Sequence, residues 1–180
     1  MILGGAQMGL GEGPEARATL ERSLELATQG YLAPMRQRAD VILASATGMS
    51  GDLDTAEQAF RAALSTSAAI GSPYSAVEAK LSRGMVLASH PAADAGEALA
   101  VLDDAVTTFE SVGARPALAR ALRARGTALV RLERSADADE SFARAAALAS
   151  EMDLRDAPWP TSAAGLAALR SAEPPIAFTE

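Results

Sequence analysis

Cysteine is absent from this 180-residue chain, so thiolate nucleophiles, thiolate metal sites and disulfides are excluded together. Asparagine is also missing, histidine occurs once and lysine once, as Lys80. Aromatic residues make up only 4% of the sequence although 49% of it is hydrophobic. A core built mostly from alanine must be thin and close-packed, which suits helices better than sheets. No stretch approaches the roughly 18 uncharged apolar residues of a membrane-spanning helix. The start, Met1-Ile2-Leu3-Gly4-Gly5, lacks the charged and apolar segments of a signal peptide. These absences lead to a cytoplasmic expectation. Basic residues are the minority at 16 against 23 acids; the net charge of -7 disfavours nucleic acid and membrane surfaces as direct partners. Arginine supplies all the basic residues except Lys80, and with the alanine content this is associated with GC-rich bacterial genomes.

What is present is a repeat. Ala16, Leu20 and Ser23 form a small–bulky–small trio at offsets of four and seven, which places them on one helix face. The same trio returns as Ala56, Phe60 and Ala63, as Ala98, Leu102 and Ala105, and as Ala138, Phe142 and Ala145. The leading alanines lie 40, 42 and 40 residues apart. Punctuation keeps step with them. Gly30, Gly71, Gly113 and Asp153 follow where a helix would end in left-handed geometry, and Pro34, Pro73, Pro116 and Pro158 follow where a partner helix would begin. Within each partner helix a small residue recurs, Ala44, Gly84 or Gly126. An interior glycine costs about 1 kcal/mol relative to alanine, so the two glycines at one phase mark close approach of a neighbour.

The pattern predicts helices over residues 14–29, 34–48, 52–70, 73–89, 93–112, 116–132 and 135–152, with a short terminal helix over 162–171. Asp52 or Asp54, Pro91 and Ser135 stand at expected helix starts, and short connections between helices favour antiparallel hairpins. Hairpin dipeptides and sustained β-branched alternation are lacking, so the expected class is all-α.

Small–bulky–small in one helix, preceded twelve residues earlier by Gly or Ala in its partner, resembles the tetratricopeptide repeat. The residues carrying the likeness are Ala44, Ala56, Phe60 and Ala63; Gly84, Ala98, Leu102 and Ala105; and Gly126, Ala138, Phe142 and Ala145. The resemblance implies a right-handed solenoid of helical hairpins over residues 1–152, then a linker and capping helix over 153–171 and a tail over 172–180. The period of 40 to 42 exceeds the standard 34 residues. Leu43, Arg83 and Arg125 precede the small residue, where an apolar one is expected. Long repeats of this kind are similar to the helical arrays C-terminal to the ATPase module in large LuxR-like bacterial regulators. By the repeat phase Gly4 partners Ala16, and the counterpart of Pro34 would precede Met1. The expectation is therefore a first repeat truncated at its N-terminal side.

Chemistry-bearing patterns are sparse. His90 precedes Pro91 and reads as a loop residue. Gly9-Leu10-Gly11-Glu12-Gly13 lacks the strand and Lys-Ser/Thr of a phosphate loop and reads as a turn. The carboxylates Asp52 and Asp54, and Asp137, Asp139 and Glu140, suit helix first turns; Asp103 and Asp104 are adjacent and point about 100° apart on a helix. No catalytic, metal or cofactor-binding set emerges, so an enzyme is not expected. Trp159 reads as packing, and Phe178 lies in the tail. The tetratricopeptide resemblance implies that the first helix of each pair lines a concave groove, putting Arg38, Ser45, Glu78, Met85, Arg120, Arg123 and Thr127 on it. Their mixed charge fits either a peptide groove or a solvated face. The set does not match the Lys, Asn and Arg pattern of a chaperone-type carboxylate clamp. The functional expectation is a non-catalytic scaffold for a protein or peptide ligand, or for upstream domains of the same chain, serving as the C-terminal regulatory arm of a larger bacterial regulator. The alternative is a structural spacer or homo-oligomerisation module.

Overall fold

A computed structural model describes Ala18, Thr19, Glu21, Arg22, Glu25, residues 33–154 and residues 160–165. Gly4, the Gly9–Gly13 run, Ala16, Leu20, Ser23, Gly30, Pro158, Trp159, the residues after 165 and the tail, for which the sequence raised expectations, lie outside them. Among the described residues six full helices run in order: α1 (Ala33–Met49), α2 (Leu53–Ala69), α3 (Pro73–Ser89), α4 (Ala95–Ser111), α5 (Arg115–Arg131) and α6 (Ser135–Glu151). Each has 17 residues, and no strand occurs among the described residues. Equal lengths keep the register. The trio occupies the fourth, eighth and eleventh positions of α2, α4 and α6, while Ala44, Gly84 and Gly126 are all twelfth in α1, α3 and α5. The chain is an all-α array of helical hairpins whose consecutive helices pack together within each of two compact units, Met1–Val86 and Leu87–Glu180.

Helix ends follow backbone chemistry. Gly71 and Gly113 take φ of 65° and 67° after α2 and α4, where left-handed geometry closes the helix, and Asp153 does the same at 53° after α6. Their turns are alike: Gly71 N–H donates to Ala68 O and Ser72 N–H to Ser67 O, and Gly113 and Ala114 repeat the pattern onto Glu110 O and Phe109 O. Glu133 also adopts φ 59°, a position at which the sequence offered no glycine. Asp52 caps α2 by accepting from Thr55 N–H at 3.1 Å. The start of α4 differs from expectation. Asp94, not Pro91, is its cap, because the Asp94 carboxylate accepts from both Gly96 and Glu97 N–H, and the helix begins at Ala95 rather than 93. Ser135 is the first residue of α6, as expected of a helix start, and the cap position before it is held by Arg134, whose guanidinium pairs with Asp137 at 2.6 Å.

In the first unit, Val41 and Ala44 of α1, Ala56, Phe60 and Ala63 of α2, and Ala79 and Val86 of α3 form one buried cluster. Gly48 lets α1 come close: a Cβ there would stand 2.5 Å from Val86 Cγ1 and 3.1 Å from the Cβ of Ala56. Beside the cluster lies a polar seam. Gln37 Nε2 donates to the Ser67 hydroxyl at 3.0 Å and to Ser75 O at 3.3 Å, and Ser67 in turn donates to Ala63 O at 2.9 Å. These contacts tie α1, α2 and α3 together with the donors of two buried side chains satisfied.

The second unit's core is built mostly from large apolar side chains, with the Ser141 hydroxyl buried beside them. Leu102, Phe109, Leu122, Leu129 and Phe142 are all essentially solvent-free. Gly126 is the tightest point: a Cβ on it would sit 2.5 Å from Phe142 Cε1, within the ring's own volume. The small residue in the partner helix thus makes room for the bulky residue of the trio. Past α6, Pro160 is buried, and Ala163 N–H donates to the Asp139 carboxylate at 2.7 Å. Ser162 caps the helical residues 163–165 through Gly165 N–H, near the predicted start of the terminal helix at 162.

Candidate functional site

The seven residues implied as a groove lie on α1 (Arg38, Ser45), α3 (Glu78, Met85) and α5 (Arg120, Arg123, Thr127). The first four belong to one unit and the last three to the other. Within the first unit Arg38 is exposed, while Ser45, Glu78 and Met85 are half-buried. The Ser45 hydroxyl donates to Val41 O on its own helix, and Glu78 accepts from the Tyr74 hydroxyl at 3.1 Å one turn earlier. In the second unit Arg120 is exposed and Arg123 half-buried. Thr127 is buried, its hydroxyl donating to Arg123 O, so it underlies the surface rather than projecting from it.

Arg83 and Arg125, which break the repeat pattern, occupy the same eleventh position of α3 and α5. Each pairs with a carboxylate on the preceding helix. Arg83 Nε reaches Glu57 at 2.8 Å with both side chains largely covered, and Arg125 Nε reaches Asp103 at 2.6 Å. Arg125 also donates to Ser141, joining α4, α5 and α6. The aliphatic stem of arginine covers apolar surface while its head remains paired at the edge, which accounts for arginine at a position that favours apolar residues.

Arg131, in the last turn of α5, was not singled out by the sequence pattern. Its guanidinium donates to Leu87 O at 2.6 Å, Ala88 O at 3.4 Å, Pro91 O at 3.2 Å and Ala93 O. These neutral carbonyls include the end of α3 and the following loop, whose C-terminal dipole favours a cation. His90 is in this loop, as expected; its Nδ1 accepts from Ala92 N–H at 3.2 Å, which leaves the ring with a local structural role.

A cleft of about 390 Å³ opens among the end of α4, the start of α5 and the end of α6, with Phe109, Leu118 and Leu148 in its lining. Two ion pairs stand in its walls, Arg144 with Glu110 at 2.6 Å and Arg115 with Glu151. The charges of its walls are matched in sign and number, and the cleft presents no nucleophile–base pair. The acidic sets have local uses: Asp52 and Asp94 cap helices, Asp103 and Asp137 pair with arginine, and Asp139 accepts from Ala163 N–H. Among the described residues no group of three or more His, Asp or Glu side chains is arranged to hold a metal ion, and no helix is long and apolar enough to cross a membrane.

No family model matches the chain, and no curated protein matches it.

Proposed function

We propose that this chain is a non-catalytic protein–protein interaction scaffold, a tetratricopeptide-like right-handed array whose helix surfaces dock a protein or peptide. In this reading it is cytoplasmic and serves as the C-terminal regulatory or sensor arm of a larger bacterial signalling or transcription regulator. The observation that carries the reading is the repetition of one packing unit. The trios of α2, α4 and α6 are each at most 1% exposed, at identical positions in helices of identical length. Stacked hairpins of this kind leave long rows of helix surface, the usual means by which repeat arrays recognise partners without chemistry of their own.

Sedimentation across a range of concentrations, paired with binding to an immobilised library of short peptides, tests the scaffold. A monomer that saturates with a subset of peptides supports it. Concentration-dependent assembly with no peptide bound favours the spacer or oligomerisation module. The regulator assignment has its own test: the reading frame of the full-length protein should contain an ATPase module upstream of this segment, and a full-length protein without one contradicts it.

A further inference from the structure

Five of the six helices end alike. The carbonyl of the fifteenth residue accepts from the N–H five residues further on, and that of the sixteenth from the N–H three residues further on. In α1 these bonds run from Asp52 N–H to Thr47 O at 3.2 Å and from Gly51 N–H to Gly48 O at 3.1 Å. In α5 they run from Arg134 N–H to Leu129 O and from Glu133 N–H to Val130 O. The residue three beyond the sixteenth is left-handed each time: Gly51, Gly71, Gly113, Glu133 and Asp153. Four of the five connections between helices span three residues.

α3 is the exception. The residue that would turn left-handed after it is Pro91, whose ring fixes φ at about −65° and which has no N–H to give to Ala88 O. The N–H that would serve Leu87 O belongs to Ala92 and goes to His90 Nδ1 instead. The connection to α4 is residues 90–94, two longer than the rest, and accounts for the 42-residue spacing from Ala56 to Ala98. Leu87 O and Ala88 O, the fifteenth and sixteenth carbonyls of α3, accept from Arg131 Nη1 at 2.6 and 3.4 Å. Arg131 Nη2 reaches Pro91 O at 3.2 Å and Ala93 O. One guanidinium thus serves both carbonyls that a turn closes elsewhere, and two more in the connection itself. No other helix of the six has arginine as its seventeenth residue.

We propose that Arg131 is a side-chain clasp standing in for the missing turn of α3, and that residues 90–93 form a strap which opens locally when the clasp releases, with the hairpins still folded. The backbone donors of a turn are tied to the helix they close, whereas Arg131 must hold a flexible side chain in one geometry, 44 residues from Leu87. The strap's own amides bond inside it: Ala92 N–H to His90 Nδ1 and Ala93 N–H to His90 O. Asp94 anchors the far end, since its carboxylate caps α4 whether or not the clasp is closed. The clasp needs no ligand and stands or falls apart from the scaffold reading.

Amide hydrogen exchange of the full chain tests it, read at Ala88 and Ser89 in the last turn of α3 and at buried Leu122 in α5. Exchange at Ala88 and Ser89 should be insensitive to urea below the unfolding transition, while exchange at Leu122 rises with it. Arg131→Met keeps the apolar stem without the donors and should speed exchange at Ala88 and Ser89 about tenfold. Arg131→Lys keeps the charge without the fork and should recover less than about half of that change. Deleting Pro91 and Ala92, together with Ala93→Gly, leaves a three-residue connection of the kind that closes α1. In that chain Arg131→Met should change the exchange less than about threefold. If the shortened chain does not fold, Pro91→Gly, which returns an N–H at that place, should reduce the Arg131→Met effect at least about twofold. Exchange at Ala88 and Ser89 that climbs with urea in parallel with Leu122 overturns the strap. A response to Arg131→Met below about threefold, full recovery by lysine, or an undiminished response in the shortened or Pro91→Gly chain overturns the clasp.

Discussion

The fifteenth residue of α2 is Ser67 and the fifteenth of α4 is Phe109, and both are wholly buried. One position in the repeat is therefore filled by a hydroxyl in the first unit and by a phenyl ring in the second. The first unit supplies the hydroxyl with a partner, Gln37, at a position occupied by Val77 in α3 and Ala119 in α5. The second unit has no hydroxyl at that position; its own buried hydroxyl, Ser141, is served by Arg125 from the edge, and its helices are fastened by three edge pairs, Arg125–Asp103, Arg144–Glu110 and Arg115–Glu151, where the first unit has Arg83–Glu57. The difference teaches that the repeat constrains its small positions more strictly than its large ones. Alanine or glycine recurs at the small sites of the trio and at the twelfth position of the partner helix, whereas the bulky site of the trio takes Phe or Leu and the fifteenth position takes Ser67, Phe109 or Ala149.

The largest expected effect comes from emptying the bulky site of the trio in each unit. Phe142→Ala and Phe60→Ala should each lower the free energy of unfolding by about 3–5 kcal/mol in urea titration. A much smaller loss for Phe60→Ala alone would show that the first unit collapses around the cavity and that the two cores differ in rigidity as well as in chemistry. Next come the close approaches. Gly126→Ala and Gly48→Ala each place a methyl group 2.5 Å from a side chain, on Phe142 and Val86, and should cost about 1–3 kcal/mol. Gly48→Ala also meets the Cβ of Ala56, which cannot rotate away, whereas the Phe142 ring can shift; similar costs at both sites would mean that the ring is as fixed as the backbone.

Smaller effects separate the polar seam from the edge pairs. Ser67→Ala removes one partner of Gln37 and should cost about 1 kcal/mol, and combining it with Gln37→Leu should recover part of that loss. A double variant worse than Ser67→Ala alone would show that the remaining Gln37–Ser75 contact outweighs the serine. Arg83→Gln and Arg125→Gln should each cost under about 1 kcal/mol, with the loss at the more exposed Arg125–Asp103 pair shrinking further in high salt.

The helices were largely legible in the sequence because trio, glycine and proline recur in one phase: the limits of α1 to α6 fall within two residues of those predicted. The residue-level misses have physical causes. Asp94 rather than Pro91 caps α4 because its carboxylate reaches two backbone N–H groups that proline cannot serve. Glu133 in left-handed geometry gave no signal, since glutamate has no preference for it, and such a position costs about 1–2 kcal/mol that the surrounding turn must offset. The long-range parts of the surface were less legible. The tetratricopeptide resemblance implied that Arg120, Arg123 and Thr127 share one face, but it could not show that Thr127 is buried, or that Arg131 reaches back more than 35 residues to the carbonyls of Leu87 and Ala93. Period-based reading places a side chain on its own helix; it carries no information about which distant backbone that side chain meets.

The account depends most on the claim that three helices present the same small position to the same kind of contact. Urea unfolding of Ala56→Leu, Ala98→Leu and Ala138→Leu, set against Ala62→Leu, Ala100→Leu and Ala143→Leu on the exposed sides of the same helices, measures it directly. The account predicts losses of about 1–3 kcal/mol for each of the first three and changes within about 0.5 kcal/mol for the others. Equal effects in the two sets would contradict it.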